Sequence, residues 1–169
     1  MRIRVADIPE EGLRIDGPEP FDRPFQDPTW VLDDASLALE RDGDAVFVHG
    51  SLAARVPQTC GRCLAGFDIT VTPSIEARFV PNPGRGDEQE LGADDLDTDV
   101  YDKGTVDLNA LLETETSLAL PMKPLCREDC RGLCPVCGGN RNTTTCACEE
   151  RAPDLRWEPL KAWAARQSR

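Results

Sequence analysis

One histidine, few aromatic side chains and no long apolar run set the first limits on this chain. Aromatics make up 5% of the 169 residues and hydrophobic residues 40%, so the apolar core is expected to be modest. No stretch reaches the roughly 18 continuous apolar residues that a membrane span requires. The segment Met1 to Pro9 also lacks the apolar core of a secretion signal. A cytoplasmic setting is therefore expected, and its reducing chemistry disfavours structural disulfides. His49 falls on the polar face of a strand-like pattern, no Ser/His/Asp grouping stands out, and no glycine loop suited to phosphate is present. These absences leave no catalytic centre, and neither a membrane nor a small-molecule substrate is expected as partner.

Positive charge is scarce as well. The net charge is −12, from 31 acidic and 19 basic residues, which repels a bare phosphate backbone at long range and favours a basic partner. Between Asp87 and Asp102 the chain has eight carboxylates and neither lysine nor arginine, the composition of a solvated spacer. The segment from Cys126 to Cys148 differs, with Arg127, Arg131 and Arg141 set against Glu128 and Asp129.

What the chain does have is prolines, alternating strands and cysteines. Pro9, Pro18, Pro20, Pro24 and Pro28 make residues 1–30 read as an extended N-terminal arm. Leu37 and Leu39 open a strand-like alternation, and Asp42-Gly43-Asp44 reads as a hairpin turn. Val46, Val48, Leu52, Ala54 and Val56 share one face of the next strand. Phe67, Ile69, Val71, Ile75, Ala77 and Phe79 then lie opposite polar partners, with Pro73 marking an edge, a bulge or a break. The stretch at about 81–105 reads as a mobile acidic loop. Asp107 is placed to cap a helix bearing Leu108, Leu111, Leu112 and Ala119, which Pro121 stops. Leu160, Trp163 and Ala164 suggest a terminal helix over 159–167.

Eight cysteines come in four close pairs: Cys60/Cys63, Cys126/Cys130, Cys134/Cys137 and Cys146/Cys148. A pair two or three residues apart can grip one tetrahedral ion from two sides, and two pairs complete a structural zinc site. Cys134-Pro-Val-Cys137-Gly138-Gly139 has the form of a zinc knuckle, in which glycine accepts a strained conformation and backbone N–H groups face the thiolates. Cys146 and Cys148 can close that tetrahedron across the loop from Gly138 to Thr145. Cys60, Cys63, Cys126 and Cys130 can form a second site, for one or two zinc ions in all. A rival partition joins Cys126 and Cys130 to Cys134 and Cys137. The spacings do not match those of ferredoxins. A redox role for Cys60 and Cys63 is the other alternative. It is disfavoured because Leu64 to Val71 alternates as a strand, where activated dithiols usually sit at a helix N-terminus.

These residues together resemble the YceD-like family, known for large ribosomal RNA subunit accumulation. The resemblance rests on Cys60-Gly-Arg-Cys63-Leu64, Val106-Asp-Leu-Asn-Ala-Leu-Leu-Glu-Thr-Glu115 and Leu118-Ala-Leu-Pro-Met-Lys-Pro-Leu-Cys126. It continues through Asp129-Cys-Arg-Gly-Leu-Cys-Pro-Val-Cys-Gly138, Asn140-Arg-Asn142, Cys146, Cys148 and Asp154-Leu-Arg-Trp157. It implies a non-catalytic bacterial factor that supports production of 23S ribosomal RNA and the large subunit. It further implies that metal binding is a stabilising feature of a subset of members. The family's gene commonly neighbours that of a small basic zinc-ribbon protein of the large subunit, which makes that protein the implied partner. Ribosomal RNA or a pre-large-subunit particle is the alternative.

The expectation is thus an α+β chain: an antiparallel β-meander or small partly closed barrel packed with one central helix, plus a cysteine-rich zinc module and a C-terminal helix. Its expected divisions are the arm at 1–30, an α+β domain at 31–122, the zinc module at 123–150 and a helical tail at 151–169.

Overall fold

A computed structural model describes residues 1–83 and 98–148, together with Arg156 and Trp163. The chain divides into two compact units, Met1–Thr59 with Gly66–Pro124, and Cys60–Ala65 with Leu125–Arg169.

Among the described residues the first unit is mostly sheet with one α-helix. Its strands are β1 (Arg2–Arg4), β2 (Leu13–Asp16), β3 (Val31–Asp42), β4 (Ala45–Thr59), β5 (Gly66–Val71), β6 (Ser74–Pro81), β7 (Thr98–Tyr101) and β8 (Thr105–Asp107). Helix α1 covers Leu108–Ala119. The six-stranded sheet has the order β2-β3-β4-β6-β7, with β5 also pairing β4; β1 and β8 form a separate antiparallel pair. Among the described residues neither sheet closes.

Strands β3 and β4 form the centre as a long hairpin that turns at Gly43, whose φ is +59°. The second half of β4 pairs with β5 and the first half with β6, so these two strands share one edge of β4 and Pro73 lies in the break between them. Alternation decides the buried face: Val46, Val48, Leu52, Ala54 and Val56 are buried, while His49, Ser51 and Arg55 are exposed. Gly50 faces Leu37 across the hairpin, and a Cβ there would run into the Ser36 carbonyl oxygen.

Helix α1 begins where Asp107 Oδ1 accepts from the backbone N–H groups of Asn109 and Ala110, at 3.1 and 3.3 Å. It buries Leu108, Leu111, Leu112 and Thr116 and ends just before Pro121. Arg2 Nε donates to Asp107 Oδ2 at 2.8 Å, and the Leu108 N–H donates to the Met1 carbonyl, which ties β1 to the helix start.

Two expectations need correction. Residues 1–30 are not an extended arm, because they contain β1, β2 and a 3₁₀ turn at Val5–Asp7, and Ile3, Val5, Ile8, Ile15, Phe21 and Phe25 join the core. The prolines sit where the chain turns, with the Pro9 and Pro18 carbonyls accepting from Gly12 and Phe21. The 81–105 stretch is not wholly loop, since Pro81, Thr98–Tyr101 and Thr105 lie in strands. Strand β7 runs parallel to β6, a pairing that needs a connection of about a dozen residues or more, which 82–97 supplies. Residues 84–97 lie outside the described residues. So does the expected terminal helix, except for Trp163, which is helical and exposed.

Candidate metal centres

All eight cysteines belong to the second unit. Its first piece, Cys60-Gly-Arg-Cys63-Leu64-Ala65, folds back on itself: the Cys60 N–H donates to the Ala65 carbonyl at 2.9 Å and the Leu64 N–H to the Cys60 carbonyl at 3.0 Å. Cys134-Pro-Val-Cys137-Gly138-Gly139 repeats the pattern, Cys134 N–H to Gly139 carbonyl at 2.8 Å and Gly138 N–H to Cys134 carbonyl at 2.9 Å. The fifth residue is left-handed in both, with φ of +58° at Leu64 and +72° at Gly138. The same knuckle is therefore built twice, once with the expected glycine and once with a leucine.

Backbone N–H groups face the first sulfur of each knuckle, from the knuckle itself and, at Cys60, also from Cys126. Those of Cys126, Cys63 and Arg62 lower the Cys60 thiol to about 6, against the opposing effect of burial. Those of Cys137 and Val136 do the same for Cys134, again to about 6. Such donors stabilise a thiolate, the form that binds metal.

The sulfurs collect into two groups, Cys60/Cys63/Cys126/Cys130 and Cys134/Cys137/Cys146/Cys148, with the four ligand atoms of each within 4.8 Å of one another. The rival partition is not the one the chain assembles. Cys60 and Cys130 sulfurs are 3.7 Å apart, and those of Cys63 and Cys126 are 3.6 Å apart. A disulfide would bring sulfurs to about 2.05 Å. A tetrahedron of sulfurs about 2.3 Å from a central ion has edges of about 3.8 Å, so these spacings fit a shared ion.

The donor chemistry agrees. Four thiolates this close repel one another, so without a cation the crowding is relieved by keeping protons. Burial, then the neighbouring thiols, push Cys126 up to about 12. At Cys148 the adjacent Cys137 thiol, then burial, has the same result, about 12. A divalent cation would replace those protons. Both groups could hold a metal ion. Cys60, Cys63 and Cys130 are buried with Cys126 partly so, whereas in the other group only Cys134 is buried and Cys137 is exposed.

The roles of the residues around the sulfurs are not written in the sequence. Asn142 Nδ2 donates to Cys130 Sγ at 3.3 Å, its Oδ1 accepts from the Arg131 N–H at 2.8 Å, and its own N–H donates to Asn140 Oδ1. Burial raises the Cys130 thiol, but the donors from Asn142 and the Gly132 N–H outweigh it, so the net shift is downward. Arg62 Nη1 donates to the carbonyls of Cys130 and Glu128. Asn140 and Asn142 belong to the stretch that carries the family resemblance, but nothing in the sequence assigned either a place beside a sulfur, and Arg62 carries no distinctive signal. No helix begins at Cys60, since β5 follows its knuckle. His49 is exposed beside Phe47, in the other unit from the sulfurs. Among the described residues, no helix is long and apolar enough to cross a membrane.

A profile of the family described as "Large ribosomal RNA subunit accumulation protein YceD" matches residues 48–163. An uncharacterized protein of Mycobacterium tuberculosis is 33% identical over 108 residues, covering 64% of this chain and 51% of its own length. An uncharacterized protein of Mycobacterium leprae is 31% identical over 106 residues, 60% of this chain and 46% of its own. The chain thus spans about half the length of these relatives. No solved structure matches it significantly.

Proposed function

This chain belongs to the YceD family, and from that premise we propose that it is a non-enzymatic factor of large-subunit biogenesis that binds a basic large-subunit ribosomal protein and so supports accumulation of 23S ribosomal RNA. The observation that carries this reading is the family match, which extends over all eight cysteines. Zinc, one ion in each four-sulfur group, is the scaffold of the second unit in this reading. Cys134, Cys137, Cys146 and Cys148 hold one ion, and Cys60, Cys63, Cys126 and Cys130 hold the other.

Charge supports the choice of a basic protein client. The whole chain is at −12. Arg62, Arg127, Arg131 and Arg141 are exposed in the second unit, but a divalent ion on four thiolates remains anionic, and two such centres offset these arginines. The same arginines support a second reading, direct contact with precursor ribosomal RNA, whose phosphates they would bind. The two readings separate in one experiment. Capture of the tagged chain from lysate, with and without nuclease, is expected to enrich a small basic large-subunit protein in both samples. Recovery only without nuclease, together with RNA affinity that falls steeply with salt, would favour the RNA reading. Recovery of neither would remove both. A thiol oxidoreductase using Cys60 and Cys63 would instead show reactive thiols in protein that carries no metal, whereas thiols masked until a chelator is added favour structural zinc.

A further inference from the structure

The segment Cys130-Arg131-Gly132-Leu133-Cys134 joins the two sulfur groups and is held from both sides. From the Cys60 knuckle, Arg62 Nη1 donates to the Cys130 carbonyl at 3.1 Å, and the Arg62 carbonyl accepts from the Leu133 N–H at 3.1 Å. Gly132, with φ of +70°, packs so closely that a Cβ there would lie 3.0 Å from the Arg62 carbonyl oxygen. From the loop between Cys137 and Cys146, the Arg141 N–H donates to the Gly132 carbonyl at 2.9 Å, and Leu133 pairs with Asn140 in an antiparallel bridge.

Asn142 lies at the centre of this arrangement. The Arg131 N–H can only donate, so the side-chain oxygen of Asn142 must face it, and the amide nitrogen is left to face the sulfur of Cys130. Its N–H groups reach both that sulfur and Asn140 Oδ1, the latter at 2.9 Å. A loop that belongs to one four-sulfur group by sequence thus supplies the side-chain donor to a sulfur of the other.

We infer that the two centres are coupled through Asn142, a positioning residue that orients Cys130 as a ligand of the Cys60 centre once the Cys134 centre has closed its loop. This rests on both sulfur groups being metal sites. Outer-sphere donors of this kind hold a ligand in its binding orientation and favour its thiolate, and their loss typically lowers metal affinity about 10- to 100-fold. The coupling is reciprocal in free energy: opening the Cys134 loop withdraws Asn142 from Cys130, and an ion in the Cys60 centre favours the closed loop in return. The Cys134 group is expected to fill first because its sulfurs lie close together along the chain, whereas 70 positions separate Cys60 from Cys130.

The test uses the full chain stripped of metal and titrated with Co²⁺. Thiolate-to-cobalt absorption counts the sites, and alkylation with mass-spectrometric mapping reports which cysteines are protected. For the unaltered chain two ions are expected, with protection of Cys134, Cys137, Cys146 and Cys148 appearing first. In Asn142→Ala the Cys60 group is expected to need about 10-fold more Co²⁺ for half protection, with the Cys134 group unchanged. That unchanged group also shows that the loop still folds. Asn142→Asp keeps the acceptor for Arg131 but replaces the N–H donor with an anion beside the sulfur, and is expected to weaken the Cys60 group at least as much. If both variants leave the Cys60 group within twofold of the unaltered chain, the coupling is wrong although the two sites stand. If the unaltered chain binds no Co²⁺, the metal reading fails first and takes the coupling with it.

Discussion

Cys60 and Cys130, separated by 70 positions along the chain, hold their sulfurs 3.7 Å apart. The distance is too long for a bond between them and matches the edge of a metal-centred tetrahedron. Chain segments that distant in sequence pay a loop-closure cost to meet, and a shared ion offsets it.

Metal removal should therefore unfold the second unit. Structural zinc contributes about 10–16 kcal/mol of apparent binding energy to small domains at neutral pH. Elemental analysis is expected to find two zinc ions per chain, and a strong chelator should expose residues 125–148 to protease. Cys134→Ser should lose one ion and that resistance together. Unchanged metal content and unchanged proteolysis would count against the site.

The duplicated knuckle offers a comparison within one molecule. Leu64 occupies a left-handed position at a cost of roughly 1–2 kcal/mol that glycine would not incur. Its side chain is exposed, so little burial is lost on removing it. Leu64→Gly should leave the unit as stable or raise it by up to about 1 kcal/mol, while Gly138→Leu should cost roughly 1–2 kcal/mol. Denaturant midpoints of the metal-loaded variants would decide. Equal losses in both would mean that the two loops do not share a conformation.

Asp107 links the helix start to pH. Burial raises its carboxyl, but Arg2 and the Ala110 N–H hold it below the ordinary carboxylate value. A carboxyl depressed in the folded state adds stability that is present above its unfolded pKa and is lost as pH falls through the folded one. Asp107→Ala should cost about 1 kcal/mol near neutrality through the lost cap. That difference should shrink below about pH 4 as the unaltered carboxyl takes up its proton. Chemical unfolding of both proteins from pH 7 down to pH 3 would show it. A pH-independent difference would assign the cap to packing instead of charge.

Much of this was legible from neighbouring residues. The face of β4 follows from alternation at Val46, Val48, Leu52, Ala54 and Val56, because a strand presents every second side chain to one side. Helix α1 follows from Asp107 and Pro121, whose effects act within one turn. Gly138 announced its conformation because glycine is the residue that adopts it freely. Leu64 did not, because the hydrogen bonds of the knuckle impose that conformation on a residue that does not prefer it. Prolines misled the reading of residues 1–30, since the same residue type marks an exposed arm and the turns of a packed segment. The parallel pairing of β6 with β7 was hidden for a related reason: strand alternation specifies faces, not neighbours.

The amino-acid order alone therefore determined the local parts: which faces are buried, where the helix starts and stops, and that thiols come in metal-spaced pairs. Only the tertiary structure decided which pair joins which, and that Asn142 of one loop serves Cys130 of the other group. The physical reason is range. Periodicity, caps and turn chemistry act over a few residues and are written where they act, whereas sulfurs 70 positions apart meet only because the intervening chain folds to bring them there.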